Sequence, residues 1–236
     1  MKISIHQPAY LPWLGHYDRL RMVDLHVDLD HVQFEKNSFI NRNRIRTPQG
    51  WTWLTVPVET AGRFGALPID GVRQADQRRW PEKHWRTILA NYARSPGLRR
   101  VGDELEALLR ADSAADSAEP PGLGPLLART DQWLQRQLGV ATPRVSSRTL
   151  GIQSSKSQLV LDICLKLGAD HYVSGPLGLD YLDLAAFASA GVTVTVHRFH
   201  HPTWTQRWPG FEPNLSALDY LLCAEGDAAP TWWDGA

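Results

Sequence analysis

Short segments in which apolar and polar residues alternate recur along the whole chain. The first is KISIH near the N-terminus, and LHVDLDHVQF, WTWLTVPV, PRVSSRTL, HYVSG and VTVTVHRF follow it. A period of two, together with many β-branched residues, predicts β-strands. Pro57 places the third of these strands at a sheet edge or near a strand end, because proline cannot donate a ladder hydrogen bond.

Between these strands the apolar residues recur at intervals of three and four, which predicts helices. The clearest example is RWPEKHWRTILANYARS, where Pro81 suits the first turn. The segments LRRVGDELEALLRA, LGPLLARTDQWLQRQLG, KSQLVLDICLKLG and LDLAAFASAG follow the same spacing. Strands that alternate with helices predict βαβ crossovers. We therefore expect an α/β fold with a mainly parallel sheet and flanking helices, of the Rossmann-like three-layer type.

The middle of the chain is helical without intervening strands, from about residue 80 to residue 140. We expect it to be a helical insertion, interrupted by a flexible linker at residues 112–122 that is rich in Ser, Ala, Pro and Gly. At 236 residues and 43% hydrophobic content the chain is long enough to bury a full core. The expected organisation is a single α/β domain over residues 1–236.

The charges of the chain balance, with 25 Lys and Arg against 25 Asp and Glu. A zero net charge argues against nonspecific electrostatic binding to nucleic acid or to an anionic membrane. The N-terminus does not resemble a signal peptide and no apolar run is long enough to span a membrane, so we expect a cytoplasmic protein. Cys164 and Cys223 are too few and too far apart for a disulfide framework or a zinc module.

One segment nevertheless carries a local excess of positive charge. Residues 36–58 contain no acidic residue but include Arg42, Arg44 and Arg46. If NRNRIR is extended, the arginines point to one side and the asparagines to the other. Guanidinium groups bind phosphate or carboxylate in bidentate fashion, so a small-molecule anion is one expected partner. The alternatives are a solvated edge strand, or ion pairs with acidic residues from elsewhere. The candidate binding residues are Asn41, Arg42, Asn43 and Arg44.

Doubly wound sheets place their chemistry at the carboxyl ends of their strands. His6 ends the first predicted strand, and with an ordinary pKa of about 6.5 it suits a general base. Gln7 and Tyr10 follow it as candidate pocket residues. Asp30 and Gln33 follow the second strand, where Asp30 is predicted to orient His6 or to bind a cation. A histidine bonded to backbone and a carboxylate capping a turn are the structural alternatives.

Further candidates follow from later segments. Lys83 and His84 lie in the first turn of a predicted helix, where they could extend the anion site or be surface residues. The amides of Ser174 and Gly175 could hold a phosphate or an oxyanion. Three histidines in HRFHHP suggest zinc, but they do not converge easily from one strand end, so no metal site is predicted. The remaining candidates are Asp180 and Tyr181, which we expect to begin the next helix, and His201, which we expect to bond substrate or backbone.

Long motifs in a fixed order resemble the WbqC-like family. They are IHQPAYLPWLG, DLDHVQFEKNSFINRNRIRTPQGWTWLTVPV, EKHW, GADHYVSGPLGLDYLD and FHHPTWTQRWPGFEPNLSALDYLL, and they extend from Ile3 to about Leu222. The resemblance implies a role in bacterial surface-polysaccharide synthesis, with transfer of glycine or a related acyl group to an amino sugar. Separately, Gly15 and His16 at the start of a helix resemble the Gly-His element of nucleotidylyltransferases, without its first histidine.

The functional expectation is therefore an acyl- or aminoacyl-transferase of glycyl type. Its substrate would be a phosphorylated or nucleotide-linked amino sugar, or a similar amine, in surface-polysaccharide (O-antigen) or secondary-metabolite biosynthesis. His6 would act as the base and Asp30 would orient it. The alternatives are a non-catalytic nucleotide- or anion-binding protein and a nucleotidylyltransferase-like enzyme. No cofactor is identified. A small molecule with phosphate or carboxylate is the expected partner, an acyl-donor carrier is a further candidate, and neither nucleic acid nor membrane is expected.

Overall fold

A computed structural model describes residues 1–60, 62, 65–113 and 119–225 of the chain. The middle of the predicted linker, residues 114–118, lies outside the described residues. The elements, in chain order, are β1 (Lys2–His6), α1 (Leu14–Arg21), β2 (Leu25–Asp28), β3 (Arg42–Thr47), β4 (Gly50–Thr55), β5 (Val58–Glu59), β6 (Arg73–Gln74), α2 (Trp80–Tyr92), α3 (Pro96–Arg110), α4 (Leu123–Gln137), β7 (Arg144–Ser146), α5 (Lys156–Leu167), β8 (His171–Ser174), α6 (Leu184–Ser189), β9 (Thr193–Val196) and α7 (Ala217–Cys223).

The chain divides into two compact units, each of which is built from several stretches of sequence. The first unit comprises Met1–Pro8, Gly15–Val32 and Val140–His200. The second comprises Ala9–Leu14, Gln33–Gly139 and His201–Ala236. The sequence-based description of the whole chain as one domain stays a prediction.

The first unit contains a five-stranded sheet in which every pairing is parallel. Its strand order is β7-β2-β1-β8-β9. β1 lies beside β2 in a register that runs from Ile3 opposite Leu25 to His6 opposite Asp28. The predicted α/β fold with a parallel sheet and flanking helices is confirmed.

Alternation along the strands assigns the two faces of this sheet to different helices. Ile3, Ile5 and Val27 belong to a buried apolar cluster that also contains Ile163 of α5 and Phe187 of α6. The intervening residues of β1 and β2 point to the other face, because successive side chains of a strand alternate. There the ring of His26 meets the edge of His16 from α1. Helices thus cover both faces, which gives three layers.

Several elements are shorter than their sequence patterns predicted. β2 ends at Asp28, and the segment after β7 turns into a 3-10 turn, Ser147–Leu150, that closes on Gly151 in the left-handed region. Asp180 and Tyr181 do not begin the next helix, which corrects the prediction. Asp180 is the last residue of a 3-10 turn, Pro176–Asp180. α6 begins only at Leu184, after Asp183, whose carboxylate accepts a hydrogen bond from the Ala186 amide at 3.1 Å.

The second unit combines two antiparallel strand pairs, β3-β4 and β5-β6, with α2, α3, α4 and α7. The predicted helical stretch between about residues 80 and 140 is confirmed as α2, α3 and α4. Close packing fixes one glycine of α3, since a β-carbon at Gly97 would lie 2.1 Å from the carbonyl oxygen of Leu221. None of the described helices is long and apolar enough to cross a membrane.

Candidate functional site

The carboxyl ends of β1 and β8 form a topological switch point in the first unit. β1 leads into α1 on one face of the sheet, whereas β8 leads into α6 on the other. The ladder between the two strands pairs Lys2 with His171 and Ile3 with Tyr172 and goes no further, while the β1-β2 ladder continues to His6. The two strands therefore part toward their carboxyl ends. Open α/β sheets bind ligands in such a crevice.

His6 ends β1 at this crevice in a defined orientation. Its Nδ1 lies 2.6 Å from the carbonyl oxygen of Gln7. A carbonyl only accepts, so Nδ1 carries the proton and Nε2 carries the lone pair of the neutral ring. That is the tautomer a general base needs. Among the described residues the side-chain amide of Gln7 has no hydrogen-bond partner, so it is available to a ligand.

A chain of imidazole rings continues from His6 beneath α1. His16 is buried and meets the ring of His6 edge-on at 5.9 Å and that of His26 at 5.4 Å, measured between ring centroids. His26 shares a 2.8 Å hydrogen bond between its Nδ1 and the hydroxyl of Ser4. Burial, reinforced by the Arg144 guanidinium, holds the pKa of His26 well below its ordinary value. His26 is therefore neutral at physiological pH.

Across the crevice, β8 ends at Ser174, and Gly175 follows it. The hydroxyl of Ser174 donates to the carbonyl of Gly175 at 3.1 Å. The loop then folds tightly, because Gly178 lies so close that a β-carbon there would be 1.8 Å from the Ser174 hydroxyl. In the sheet order β1 and β8 are neighbours, so the residues that end β8 lie beside those that end β1.

Asp30 does not orient His6, which corrects that prediction. Its carboxylate accepts hydrogen bonds from the Ser146 hydroxyl at 2.5 Å, the Ser147 hydroxyl at 3.0 Å and the Arg148 amide at 3.2 Å. These partners place Asp30 at the ends of β2 and β7, where it fixes the turn after β7. The alternative of a carboxylate that stabilises a turn is the one the geometry supports.

Helix α1 contributes residues that sequence reasoning did not single out. Asp18 accepts a 2.6 Å hydrogen bond from Nε2 of His197, which follows β9. Arg19 is only 4% exposed, and its Nε and Nη2 atoms have no hydrogen-bond partner among the described residues. Gly15 leaves room for the ring of Phe199, since a β-carbon there would lie 2.9 Å from it. The glycine of the Gly-His element thus serves packing.

The arginines of β3 belong to the second unit, where β3 and β4 form an antiparallel hairpin. Arg42 and Arg44 lie on one face, as alternation predicted. The guanidinium of Arg42 stacks 4.1 Å from the ring centroid of Trp53, and that of Arg44 lies 5.0 Å from Trp51. Arg42 also donates to the carbonyl of Asn37, and Arg44 donates to that of Asn214 at 3.1 Å. Neither of them forms an ion pair with a carboxylate within the described part of the chain.

Asn41 and Asn43 do not complete a ligand shell beside these arginines, which corrects the prediction. Both are buried, and their side-chain amides donate to the carbonyls of Val56 and Leu11, each at 2.8 Å. Buried polar groups need such partners, so the two asparagines hold the hairpin to neighbouring chain. Arg46 is also structural, with donors committed to three backbone carbonyls.

Tyr10 and His84 are bonded to each other in the core of the second unit rather than lining an open pocket. Nε2 of His84 donates to the carbonyl of Thr55 at 3.1 Å, so its Nδ1 accepts from the Tyr10 hydroxyl at 3.0 Å. Burial lowers the pKa of His84 to about 4, so it carries no charge for an anion at neutral pH. The predicted contribution of His84 to an anion site is therefore wrong.

The other candidates of the second unit are mostly structural. Gln33 accepts from the Leu67 amide at 3.0 Å and donates to the Phe34 carbonyl at 2.9 Å. His201 uses both ring nitrogens on backbone, donating to Pro202 at 2.7 Å and accepting from the Asn214 amide at 3.0 Å. Lys83 is exposed, and its amide already donates to the carbonyl of Arg79. The predicted backbone bond of His201 is present.

Comparison with known proteins matches nearly the same part of the chain as the motifs. The model of the WbqC-like protein family matches residues 7–230. The chain belongs to the WbqC-like protein family. A relative, "Uncharacterized protein Rv1507c" of Mycobacterium tuberculosis (strain ATCC 25618 / H37Rv), is 31% identical over 234 residues, covering 98% of this chain and 96% of the relative. No solved structure matches significantly.

The predicted site residues of this WbqC-like protein thus fall into separate groups. In the first unit the sheet brings His6, Gln7, Ser174 and Gly175 to one crevice, and it places Asp30 at the ends of other strands. The candidates of the second unit form a set of their own. Sequence reasoning missed Arg19. The signal that could have found it is a charged residue between Tyr17 and Leu20 in a helix whose spacing predicts burial.

Proposed function

We propose that this WbqC-like protein is an acyl- or aminoacyl-transferase of glycyl type. Its acceptor is the amino group of a phosphorylated or nucleotide-linked amino sugar or a similar amine, in cytoplasmic steps of surface-polysaccharide or secondary-metabolite biosynthesis. The observation that carries the proposal is His6, a histidine at the switch point whose Nδ1 is anchored on the carbonyl of Gln7. With the proton on Nδ1, Nε2 carries the lone pair that a base needs, at the strand end where α/β sheets bind ligands.

In the proposed reaction the neutral amine attacks the carbonyl carbon of an activated acyl donor. As the new C–N bond forms, the carbonyl electron pair moves to oxygen, and Nε2 of His6 takes the proton that the nitrogen loses. When the carbonyl re-forms, the bond to the leaving group breaks and the leaving group departs with the electron pair. The proton on His6 then passes to that group. A positioned base of this kind contributes roughly 10²–10⁴-fold to the rate.

The loop after β8 supports the second half of this scheme. The tetrahedral intermediate carries a negative oxygen, which backbone amides and a close glycine can accommodate. Gly175 lies at the end of the strand next to β1 and carries no side chain to hinder that approach. An acyl-donor carrier is the partner that this chemistry implies.

Arg42 and Arg44 form a separate candidate anion site within the second unit, which we propose binds a phosphate or carboxylate. Their guanidinium planes are held by tryptophan rings, and their Nε atoms have no hydrogen-bond partner among the described residues. A guanidinium fixed in this way has lost part of its conformational freedom before an anion arrives, which favours bidentate binding.

The test is a transfer assay read by mass spectrometry. Purified full-length protein is incubated with a glycyl thioester and a panel of nucleotide-linked amino sugars, and products heavier by one glycyl group are sought. We expect His6→Ala to lower the rate about 10²–10⁴-fold. The matched control is His171→Ala, at the amino end of β8, which should keep the wild-type rate. Full activity in His6→Ala would remove His6 from the mechanism.

A further inference from the structure

We propose that Arg19 and the loop Ser174–Gly178 form a phosphate-binding site in the crevice between β1 and β8. The site would take the phosphate of a phosphorylated or nucleotide-linked substrate. In naming that substrate it rests on the proposed function, whereas binding of phosphate itself does not depend on any transfer reaction.

The first argument is the state of the Arg19 guanidinium. It is 4% exposed, and its buried Nε and Nη2 donors have no hydrogen-bond partner among the described residues. Burying an ionised group without a partner is costly, so such a group normally meets an opposite charge. Burial accordingly lowers the pKa of Arg19, and only the neighbouring tyrosines Tyr172 and Tyr181 oppose this.

The second argument is that no carboxylate of the described residues supplies the missing charge. No described ion pair includes Arg19. Asp18, its neighbour on α1, accepts a hydrogen bond from His197. Asp30 is occupied by two serine hydroxyls and a backbone amide. The Nε and Nη2 donors of Arg19 thus have no acceptor among the described residues, and a bound anion would supply one.

The third argument is the position of the guanidinium in the fold. A β-carbon at Gly175 would lie 2.7 Å from Nη1 of Arg19, so the charged end of Arg19 lies directly against this residue. Gly175 follows β8, at the strand end where β1 and β8 part. A buried cation thus lies at the switch point, which is where an open α/β sheet places its ligand.

The loop chemistry favours phosphate over a carboxylate. Gly175 carries no side chain on the side where the Arg19 guanidinium lies, so a bulky anion bound to Arg19 can approach the backbone of this residue. An arginine fork can bond two phosphate oxygens and leave others to backbone groups, whereas a carboxylate has only two oxygens in all.

The experiment is calorimetric titration of the full-length protein with pyrophosphate. Wild type should bind saturably, and Arg19→Gln should bind about 10–150-fold more weakly, the range expected for loss of a charge-assisted hydrogen bond. Gly175→Ala keeps Arg19, but the added methyl group would displace its guanidinium from the loop after β8. This variant should also bind pyrophosphate more weakly. Gly175 has an ordinary φ of −69°, so alanine fits its backbone. If Arg19→Gln does not fold, pyrophosphate binding by Gly175→Ala tests the proposed site instead.

The controls lie away from the crevice. Gly71→Ala adds a methyl group that meets only ordinary contacts of 3.5 Å or more, and Arg99→Gln removes an exposed arginine of α3. Both should bind pyrophosphate like wild type. No binding by wild type, unchanged binding by Arg19→Gln and Gly175→Ala, or tighter binding of acetate than of pyrophosphate would each overturn the proposal. Weakened pyrophosphate binding in these variants, with full transfer activity in His6→Ala, would support this site and reject the assigned base.

Discussion

Single replacements of the three β3 arginines should show that Arg46 stabilises the fold, whereas Arg42 and Arg44 bind an anion. Arg46 is 4% exposed and donates to the carbonyls of Thr47 at 2.6 Å, Gly50 at 2.7 Å and Pro209 at 2.5 Å. Arg46→Ala would leave these carbonyls without their donor. Hydrogen bonds to charged groups contribute about 1.5–3 kcal/mol each and are not additive, so we expect a loss of about 3–5 kcal/mol in the free energy of unfolding.

Arg42 and Arg44 should behave differently because both are partly exposed. Their main contacts are stacking on Trp53 and Trp51 and one backbone carbonyl each. A cation–π contact at an exposed site is worth about 0.5–1 kcal/mol. Arg42→Ala and Arg44→Ala should therefore cost about 1 kcal/mol of stability. If either binds phosphate, its replacement should raise the dissociation constant of a sugar phosphate about 10–150-fold.

The assay combines denaturant unfolding with calorimetric titration of a nucleotide sugar or sugar phosphate. The eight tryptophans among the described residues all belong to the second unit, so their fluorescence follows the unit that contains β3. Arg42→Lys and Arg44→Lys serve as matched variants, since lysine keeps the charge but loses the bidentate fork. The reasoning is refuted if Arg46→Ala unfolds like wild type. Normal ligand binding by the Arg42 and Arg44 variants, with early unfolding, would make these residues structural.

Three further outcomes follow from buried groups of the second unit. Burial lowers the pKa of His84 to about 4, so between about pH 6.5 and pH 4 this histidine binds a proton in the unfolded chain but not in the folded chain. The free energy of unfolding should therefore fall by about 3 kcal/mol as the pH is lowered to about 4. His84→Gln should flatten this pH dependence. Gly97→Ala should destabilise strongly because its methyl group would meet a backbone carbonyl, whereas Gly102→Ala on the same helix should not, as thermal melts would reveal. Asp219→Ala should cost about 2–5 kcal/mol in denaturant unfolding, because it removes the carboxylate that accepts hydrogen bonds from Tyr92, Trp204 and Gln206; an unchanged midpoint would contradict the hydrogen-bond assignment.

Local pattern was sufficient for the elements of the sheet and for the faces of its strands. The alternation in KISIH predicted β1, and it also determines that Ile3 and Ile5 share a face opposite to Ser4 and His6. The same rule put Arg42 and Arg44 on one side of β3. The alternation pattern did not predict where each strand ends. β2 stops at Asp28 although the alternation continues beyond it, because pairing with β1 and β7 ends there.

Partners that come from distant parts of the sequence decided the roles of many candidates. Asn43 is structural because its side-chain amide donates to the carbonyl of Leu11. Asp30 is structural because it accepts hydrogen bonds from Ser146 at the end of β7 and from Ser147 in the turn that follows. Neither partner is predictable from the residue types alone, since asparagine and aspartate suit ligands and turns equally.

The sequence by itself determined the periodicities of this protein, and with them the parallel α/β sheet and the position of His6 at the end of a strand. It also determined family membership, because ordered motifs depend on residue identity alone. The tertiary structure alone decided that β1 and β8 are neighbours and that Arg19 lies buried against Gly175. The physical reason is that burial and electrostatic pairing depend on distances in space, and these two residues are separated by most of the chain.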